Sequence, residues 1–175
     1  MNTANKLTMV RVVLIPIFLA VLYIGFLGSR YVAMVIFIVA GLTDIADGYI
    51  ARRRNQVTDF GKLVDPLADK ILVLSAMLWF LEQGTMPAWA VLIVVVREFM
   101  VTALRLIAVD NGRVIAAAIS GKIKTVVTMV CLTVMFLNLE PWMVIVCVAA
   151  ITITTVVSGV EYFIKNKDVF NWKKL

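Results

Sequence analysis

Residues 44–69 read DIADGYIARRRNQVTDFGKLVDPLAD, and this stretch decides how the rest of the chain is arranged. It places five carboxylates, Asp44, Asp47, Asp59, Asp65 and Asp69, inside a sequence that is otherwise overwhelmingly apolar. Asp44 and Asp47 are three residues apart, and Asp65 and Asp69 four, so on helices each pair shares one face. The charged segment Arg52-Arg53-Arg54-Asn55-Gln56 between the pairs reads as a turn joining two helices. Counted outward from that turn at 1.5 Å per residue, Asp47 and Asp65 each lie about 10 Å along their helix. Asp44, Asp47, Asp65 and Asp69 can therefore converge, and four converging carboxylates have the geometry of a divalent-cation site.

Unpaired carboxylates in apolar surroundings repel one another and are pushed toward protonation, so a compensating positive charge is required. Oxygen-only donors suit hard cations such as Mg²⁺, Mn²⁺ or Ca²⁺ rather than Zn²⁺. Gly48, Ala51 and Gly61 lie on or near the same faces and leave room for a bulky ligand. The plainer reading is a salt-bridged helical hairpin with Arg52, Arg53, Arg54 and Lys62 as partners. Ionisable residues inside a membrane segment are functional by default, which favours the metal site.

A bilayer is the expected setting. The hydrophobic fraction is 62% and the mean hydropathy +0.99, where soluble proteins are roughly half apolar. The 175 residues leave room for one domain, 1–175, and a chain this small cannot bury so much apolar surface within itself. Residues 12–27 form the first span. No convincing small-residue cleavage site follows it and further spans do, which argues against a signal peptide. Apolar runs over 31–43, 71–81 and 88–96 are too short to cross about 30 Å of hydrocarbon alone. Each reaches full length by including a charged half: 44–54, 59–70 and 97–109. Residues 125–139 and 141–160 complete an all-α, polytopic membrane fold of six transmembrane helices. Turns are expected near 28–30, 55–58, 82–87, 110–119 and 138–141. Every charged half then falls on one side, forming a polar cavity open to that face.

The basic residues say which face. Lys6, Arg11, Arg52, Arg53, Arg54, Lys62, Arg113, Lys122, Lys124, Lys165, Lys167, Lys173 and Lys174 fall on one side, and Arg30 alone on the other. Both termini and the cavity are expected to be cytoplasmic. The net charge of +6 then faces anionic lipid headgroups. Charges scattered between apolar spans do not suit nucleic acid. Cys131 and Cys147 stand alone and read as small apolar side chains. Histidine is absent, so any general base is a carboxylate, lysine or tyrosine, with aspartate the abundant choice.

Outside the central stretch, Arg97 and Arg105 are eight residues apart and point roughly the same way on one helix. Two guanidinium groups facing a cavity suit the capture of a phosphate or carboxylate. Pairing with Glu98 or the aspartates is the other reading. Lys122 and Lys124 follow Gly121 at the start of the fifth span and either join that pocket or reach to the interface. Asn5, Thr8 and Arg11 place an amide, a hydroxyl and a cation at the start of the first span, where Thr8 also suits a helix cap.

The pattern Asp44-x2-Asp47-Gly48-x2-Ala51-Arg52-x8-Gly61-x3-Asp65-x3-Asp69 resembles, position for position, the signature of the CDP-alcohol phosphotransferases. Eight specified residues over 26 positions make a specific match. The Asn5-x-Leu7-Thr8-x2-Arg11 entry, residues 56–62, Arg97-Glu98, Arg105 and Gly121-Lys122-Ile123-Lys124 are similar to the bacterial branch that uses glycerol 3-phosphate. The resemblance spans residues 5 to 124 and leaves the last two spans as scaffold. It implies that Asp44, Asp47, Asp65 and Asp69 hold two divalent cations, Mg²⁺ or Mn²⁺, on a CDP pyrophosphate. Asp69 doubles as the catalytic base. Gly48, Ala51, Arg52, Gly61 and Thr8 border the nucleotide and its phosphates, and Arg11 joins Arg105, Arg97, Lys122 and Lys124 around the acceptor phosphate. The implied reaction moves a phosphatidyl group from CDP-diacylglycerol to sn-glycerol 3-phosphate, giving phosphatidylglycerol phosphate and CMP. A homodimer in the plasma membrane is implied as well.

Other acceptors stay open within the class: inositol phosphate, serine, choline or phosphatidylglycerol. A cation transporter is the rival from another class, since intramembrane acids also serve transport. One-sided charge and the lack of a broken-helix repeat count against it. A purely structural protein leaves the acids unexplained.

Overall fold

The computed structural model describes residues 3–53, 59–110, 112, 115, 118–137 and 140–169, with side chains for all of these except 3–8 and 44–66. All the regular elements are helices, and there is no strand among the described residues. The helices are α1 (Thr3–Ile24), α2 (Ser29–Arg53), α3 (Asp59–Glu82), α4 (Ala88–Asp110), α5 (Ile119–Met135) and α6 (Pro141–Lys165), followed by a 3-10 turn over Lys167–Val169. The expected six-helix order therefore holds. Two compact units are distinguished: Met1–Phe80 with Leu132–Leu139, and Leu81–Cys131 with Glu140–Leu175.

In the first unit α1 and α2 form a hairpin. Its turn uses Gly25 and Gly28 at φ 68° and 87°, backbone that side-chain-bearing residues rarely adopt. Gly25 stops α1 at Ile24, a few residues before the expected end of the first span. The core is aromatic. Phe136 lies 5.9 Å from both Phe18 and Phe37 and 4.7 Å from Phe80, ring centre to ring centre, with Trp79 stacked at 6.0 Å. Phe18, Phe37, Phe80 and Phe136 are buried. These offset and edge-on arrangements match the ring quadrupole. At the rim of the cluster the Arg30 guanidinium sits 5.1 Å over the Trp79 ring.

In the second unit α4 packs against α6. Val101, Leu104 and Ala108 of α4 meet Tyr162 of α6 and Val169 of the terminal turn, with Ile115, Ala118 and Phe163 around them. Pro141 opens α6, where its missing N–H is no loss. Asn166 closes it: its side-chain amide donates to the Tyr162 carbonyl at 2.8 Å, satisfying an end-of-helix acceptor. Inside α6, Thr152 and Thr154 donate to the carbonyls of Val148 and Ala150, so their hydroxyls are spent within the helix. Cys131 is half-buried and Cys147 buried, both as free thiols.

Among the described residues α6 alone is long and apolar enough to cross a membrane, with 25 residues and a mean hydropathy of 2.4 over an 18-residue window. At 1.5 Å per residue it extends about 37 Å. Shorter apolar stretches cover Met9–Ile24 and Ser29–Thr43. Among the other helices, Arg97, Glu98 and Arg105 interrupt the apolar run of α4, and α5 has only 17 residues. Even so, large apolar side chains are exposed on all of them, including Ile17, Val35, Leu78, Leu106, Val126 and Ile145. Water-soluble monomers rarely leave such surface uncovered.

Candidate functional site

The acids of the central stretch fall on two consecutive helices. α2 carries Asp44, Asp47, Gly48, Ala51 and Arg52 in its C-terminal half, and α3 carries Gly61, Asp65 and Asp69 in its N-terminal half. Asp47 is six residues before the end of α2 at Arg53, and Asp65 six after the start of α3 at Asp59. The helical backbone thus gives each pair a common face at a matching depth of about 9 Å. The side chains of Thr8, Asp44, Asp47, Gly48, Ala51, Arg52, Gly61 and Asp65 lie outside the described residues. Asp69 is half-buried and makes polar contact with a neighbour. In the same unit Arg11 of α1 is completely buried, a placement that a cation tolerates only beside compensating groups. As a donor set, four carboxylates without histidine or cysteine fit hard divalent cations and no softer metal.

The second unit gathers a different set. Glu98 Oε1 accepts hydrogen bonds from Arg97 Nη1 at 2.9 Å and from Lys124 Nζ at 2.8 Å. Lys124 is buried, and the Arg97 and Glu98 side chains are only 13% and 17% exposed, so one carboxylate compensates two largely desolvated cations. Two glycines make space for Arg97. A Cβ on Gly159 would stand 3.2 Å from Arg97 Cγ, and one on Gly121 would stand 3.5 Å from its Nη2. Arg97 also borders an apolar groove of about 500 Å³ between α4 and α6, lined by Val96, Met100, Val156 and Val160 among others.

Arg105 stands apart from that trio. Its Nε donates to the Tyr162 hydroxyl at 2.9 Å, and its guanidinium carbon lies 5.5 Å from the centre of the same ring. Arg97 and Arg105 both turn toward α6, one onto Gly159 and the other onto Tyr162, as their eight-residue spacing predicts. Lys122 is exposed. The five cations expected around one acceptor phosphate are therefore distributed: Arg97 and Lys124 are joined through Glu98, Arg105 is held by Tyr162, Lys122 is exposed, and Arg11 belongs to the other unit.

The pairing of Arg97 with Glu98 was one of its two sequence readings; Lys124 as a second donor to Glu98, and Tyr162 and Gly159 as contributions of α6, are what sequence reasoning missed. α6 reads as plain scaffold by motif. The available signals were faint: a lone carboxylate among cations at Glu98, and one hydroxyl-bearing ring near the basic end of α6 at Tyr162.

The sequence profile of the CDP-alcohol phosphatidyltransferase family matches residues 1–158, and the chain belongs to that family. Its enzymes are membrane-associated and work with divalent metal ions. The chain is 38% identical to the CDP-diacylglycerol–glycerol-3-phosphate 3-phosphatidyltransferase of Bacillus subtilis, over 94% of this chain and 95% of that one. It is 41% identical to a probable phosphatidylglycerophosphate synthase of Mycobacterium tuberculosis, over 92% of this chain and 79% of the relative. With the CDP-diacylglycerol–glycerol-3-phosphate 3-phosphatidyltransferase of Salmonella typhimurium it shares 41% identity, over 75% and 74% respectively.

Proposed function

We propose that the chain transfers the phosphatidyl group of CDP-diacylglycerol to sn-glycerol 3-phosphate, releasing CMP and forming phosphatidylglycerol phosphate. The observation that carries this reading is the near full-length similarity to the Bacillus subtilis enzyme of that activity. The eight-residue motif, set on the C-terminal half of α2 and the N-terminal half of α3, supports it.

In this reaction the acceptor hydroxyl oxygen forms a bond to the phosphorus that carries diacylglycerol. The bond from that phosphorus to the CMP oxygen breaks, and CMP leaves with the electron pair. Asp69, on α3 one turn after Asp65, takes the hydroxyl proton. Two divalent cations, Mg²⁺ or Mn²⁺, held by Asp44, Asp47, Asp65 and Asp69, supply the positive charge that such a displacement needs beside a pyrophosphate. Gly48, Ala51, Gly61, Arg52 and Thr8 border the nucleotide, the small residues by leaving space and Arg52 by charge. Arg105 and the Arg97–Lys124 pair, with Lys122 and Arg11, supply donors for the acceptor phosphate, which loses hydration on entering a partly apolar cavity.

We place this chemistry in one membrane domain, 1–175, of six spans in the plasma membrane, with both termini and the cavity cytoplasmic and the enzyme a homodimer. The exposed apolar side chains of the described helices and the one-sided basic residues support that placement. The architecture suits the substrates, because lipid tails enter from the bilayer while nucleotide and acceptor come from water.

The test is incorporation of radiolabelled acceptor by purified protein supplied with CDP-diacylglycerol and Mg²⁺ or Mn²⁺. Glycerol 3-phosphate should give labelled phosphatidylglycerol phosphate and stoichiometric CMP. Preferential incorporation of inositol phosphate or serine would overturn the acceptor assignment, and no CMP with any acceptor would overturn the enzyme reading.

A further inference from the structure

We propose that Tyr162 is a positioning residue for the acceptor: it locks Arg105 so that the outer edge of the guanidinium faces the acceptor phosphate. The inference rests on the acceptor reading of Arg105 given above.

Three observations carry it. The Tyr162 hydroxyl accepts the Arg105 Nε–H at 2.9 Å, so the inner edge of the guanidinium is fixed. The ring lies 5.5 Å from the guanidinium carbon, which adds an electrostatic contact of the same cation to the same side chain. The ring itself is held. Tyr162 is only 2% exposed, is packed against Val101, Leu104, Ala108 and Val169, and has its backbone carbonyl capped by Asn166.

The consequence for recognition follows from the shape of arginine. Its five N–H donors form a rigid planar fork, and binding through one edge sets the direction of the rest. Arg105 itself is exposed, with its Nε edge held against α6. The Nη groups point as the anchored Nε dictates, and a phosphate meets a donor pair whose rotamer entropy is already spent. A free arginine on an exposed helix face would have to be ordered by the substrate.

The experiment compares Tyr162→Phe, Arg105→Ala, Arg105→Lys and the double variant Tyr162→Phe/Arg105→Lys in the purified full-length enzyme. Michaelis constants are measured for glycerol 3-phosphate and CDP-diacylglycerol, together with the preference for glycerol 3-phosphate over uncharged glycerol. Tyr162→Phe keeps the packed ring and should raise the glycerol 3-phosphate constant about five- to tenfold, the scale of one ordinary hydrogen bond. It should leave the CDP-diacylglycerol constant and the unfolding temperature unchanged and lower the preference for the charged acceptor. In the Arg105→Lys background, which lacks Nε, the same change should add nothing. If Arg105→Ala raises the acceptor constant and Tyr162→Phe does not, the positioning role is overturned while the acceptor reading of Arg105 stands. Should Arg105→Ala leave the acceptor constant unaltered, that reading fails and the proposal with it. Equal weakening of both substrates by Tyr162→Phe, with a lowered unfolding temperature, would show a structural role and overturn the proposal.

Discussion

Lys124 of α5 and Glu98 of α4 meet at 2.8 Å with both side chains largely out of solvent, and the same carboxylate oxygen also serves Arg97. Removing one member of such a set leaves its partner desolvated and uncompensated. Glu98→Ala should therefore destabilise the protein by about 1–3 kcal/mol. Glu98→Ala/Lys124→Met should recover part of that loss. Thermal unfolding in detergent reads both, and a double variant less stable than Glu98→Ala would contradict the pairing.

The paired acids give a prediction about activity. Asp44→Asn, Asp47→Asn and Asp65→Asn are each expected to abolish metal-dependent transfer while the protein stays folded, because these groups serve ions rather than packing. Circular dichroism and a Mg²⁺ titration of CMP release check this. Activity that persists in chelator, or in all three variants, would sink the two-cation proposal.

Asp69 separates binding from base catalysis. Asp69→Asn should stop the chemical step as the other three changes do, but with nucleotide binding in the presence of metal largely kept. Equilibrium binding of labelled CDP-diacylglycerol decides the matter. Loss of binding as complete as in Asp47→Asn would make Asp69 a ligand only.

Phe136 touches Phe18, Phe37, Trp79 and Phe80. Truncating a core phenylalanine costs about 3–5 kcal/mol in water-soluble proteins. In a bilayer the transfer part of that cost shrinks and the lost contacts remain. Phe136→Ala should thus cost about 2–3 kcal/mol, and Phe136→Leu clearly less. Equal unfolding temperatures for the two variants would mean that the cluster is not close-packed.

Orientation is open to chemical labelling. With Cys131 and Cys147 replaced, a cysteine at Gln83 should react with an impermeant thiol reagent from outside intact cells, and one at Asn111 only after the membrane is opened. The reverse pattern would invert the topology.

The order of helices was legible because punctuation in this chain is strong. Glycines, prolines and charge clusters interrupt otherwise continuous apolar runs, and four of the five connections fall within or next to the expected stretches. The first came early because Gly25, at φ 68°, ends α1 at Ile24. The acid pairs were legible for a local reason, since spacing along a helix fixes the face. The contacts in the second unit were not. Arg105 and Tyr162 are 57 residues apart, and nothing local to either predicts the other. Likewise the two readings of Arg97, as phosphate donor or as partner of Glu98, differ only in what packs beside it.

Arg97 and Glu98 are neighbours in sequence as well as partners in space. That adjacency bears on how the protein is made. A helix delivered into a bilayer with a lone arginine near its middle would meet a steep barrier at the moment of insertion. Under the six-span arrangement proposed above, α4 carries its counter-ion on the very next residue, so the segment leaves the ribosome already close to electrically neutral at that depth. Lys124 is synthesised later and finds the carboxylate waiting. The arrangement makes the order of synthesis, α4 before α5, the order in which charge is neutralised, and a chain permuted to place α5 first would present a buried lysine with no acid to receive it.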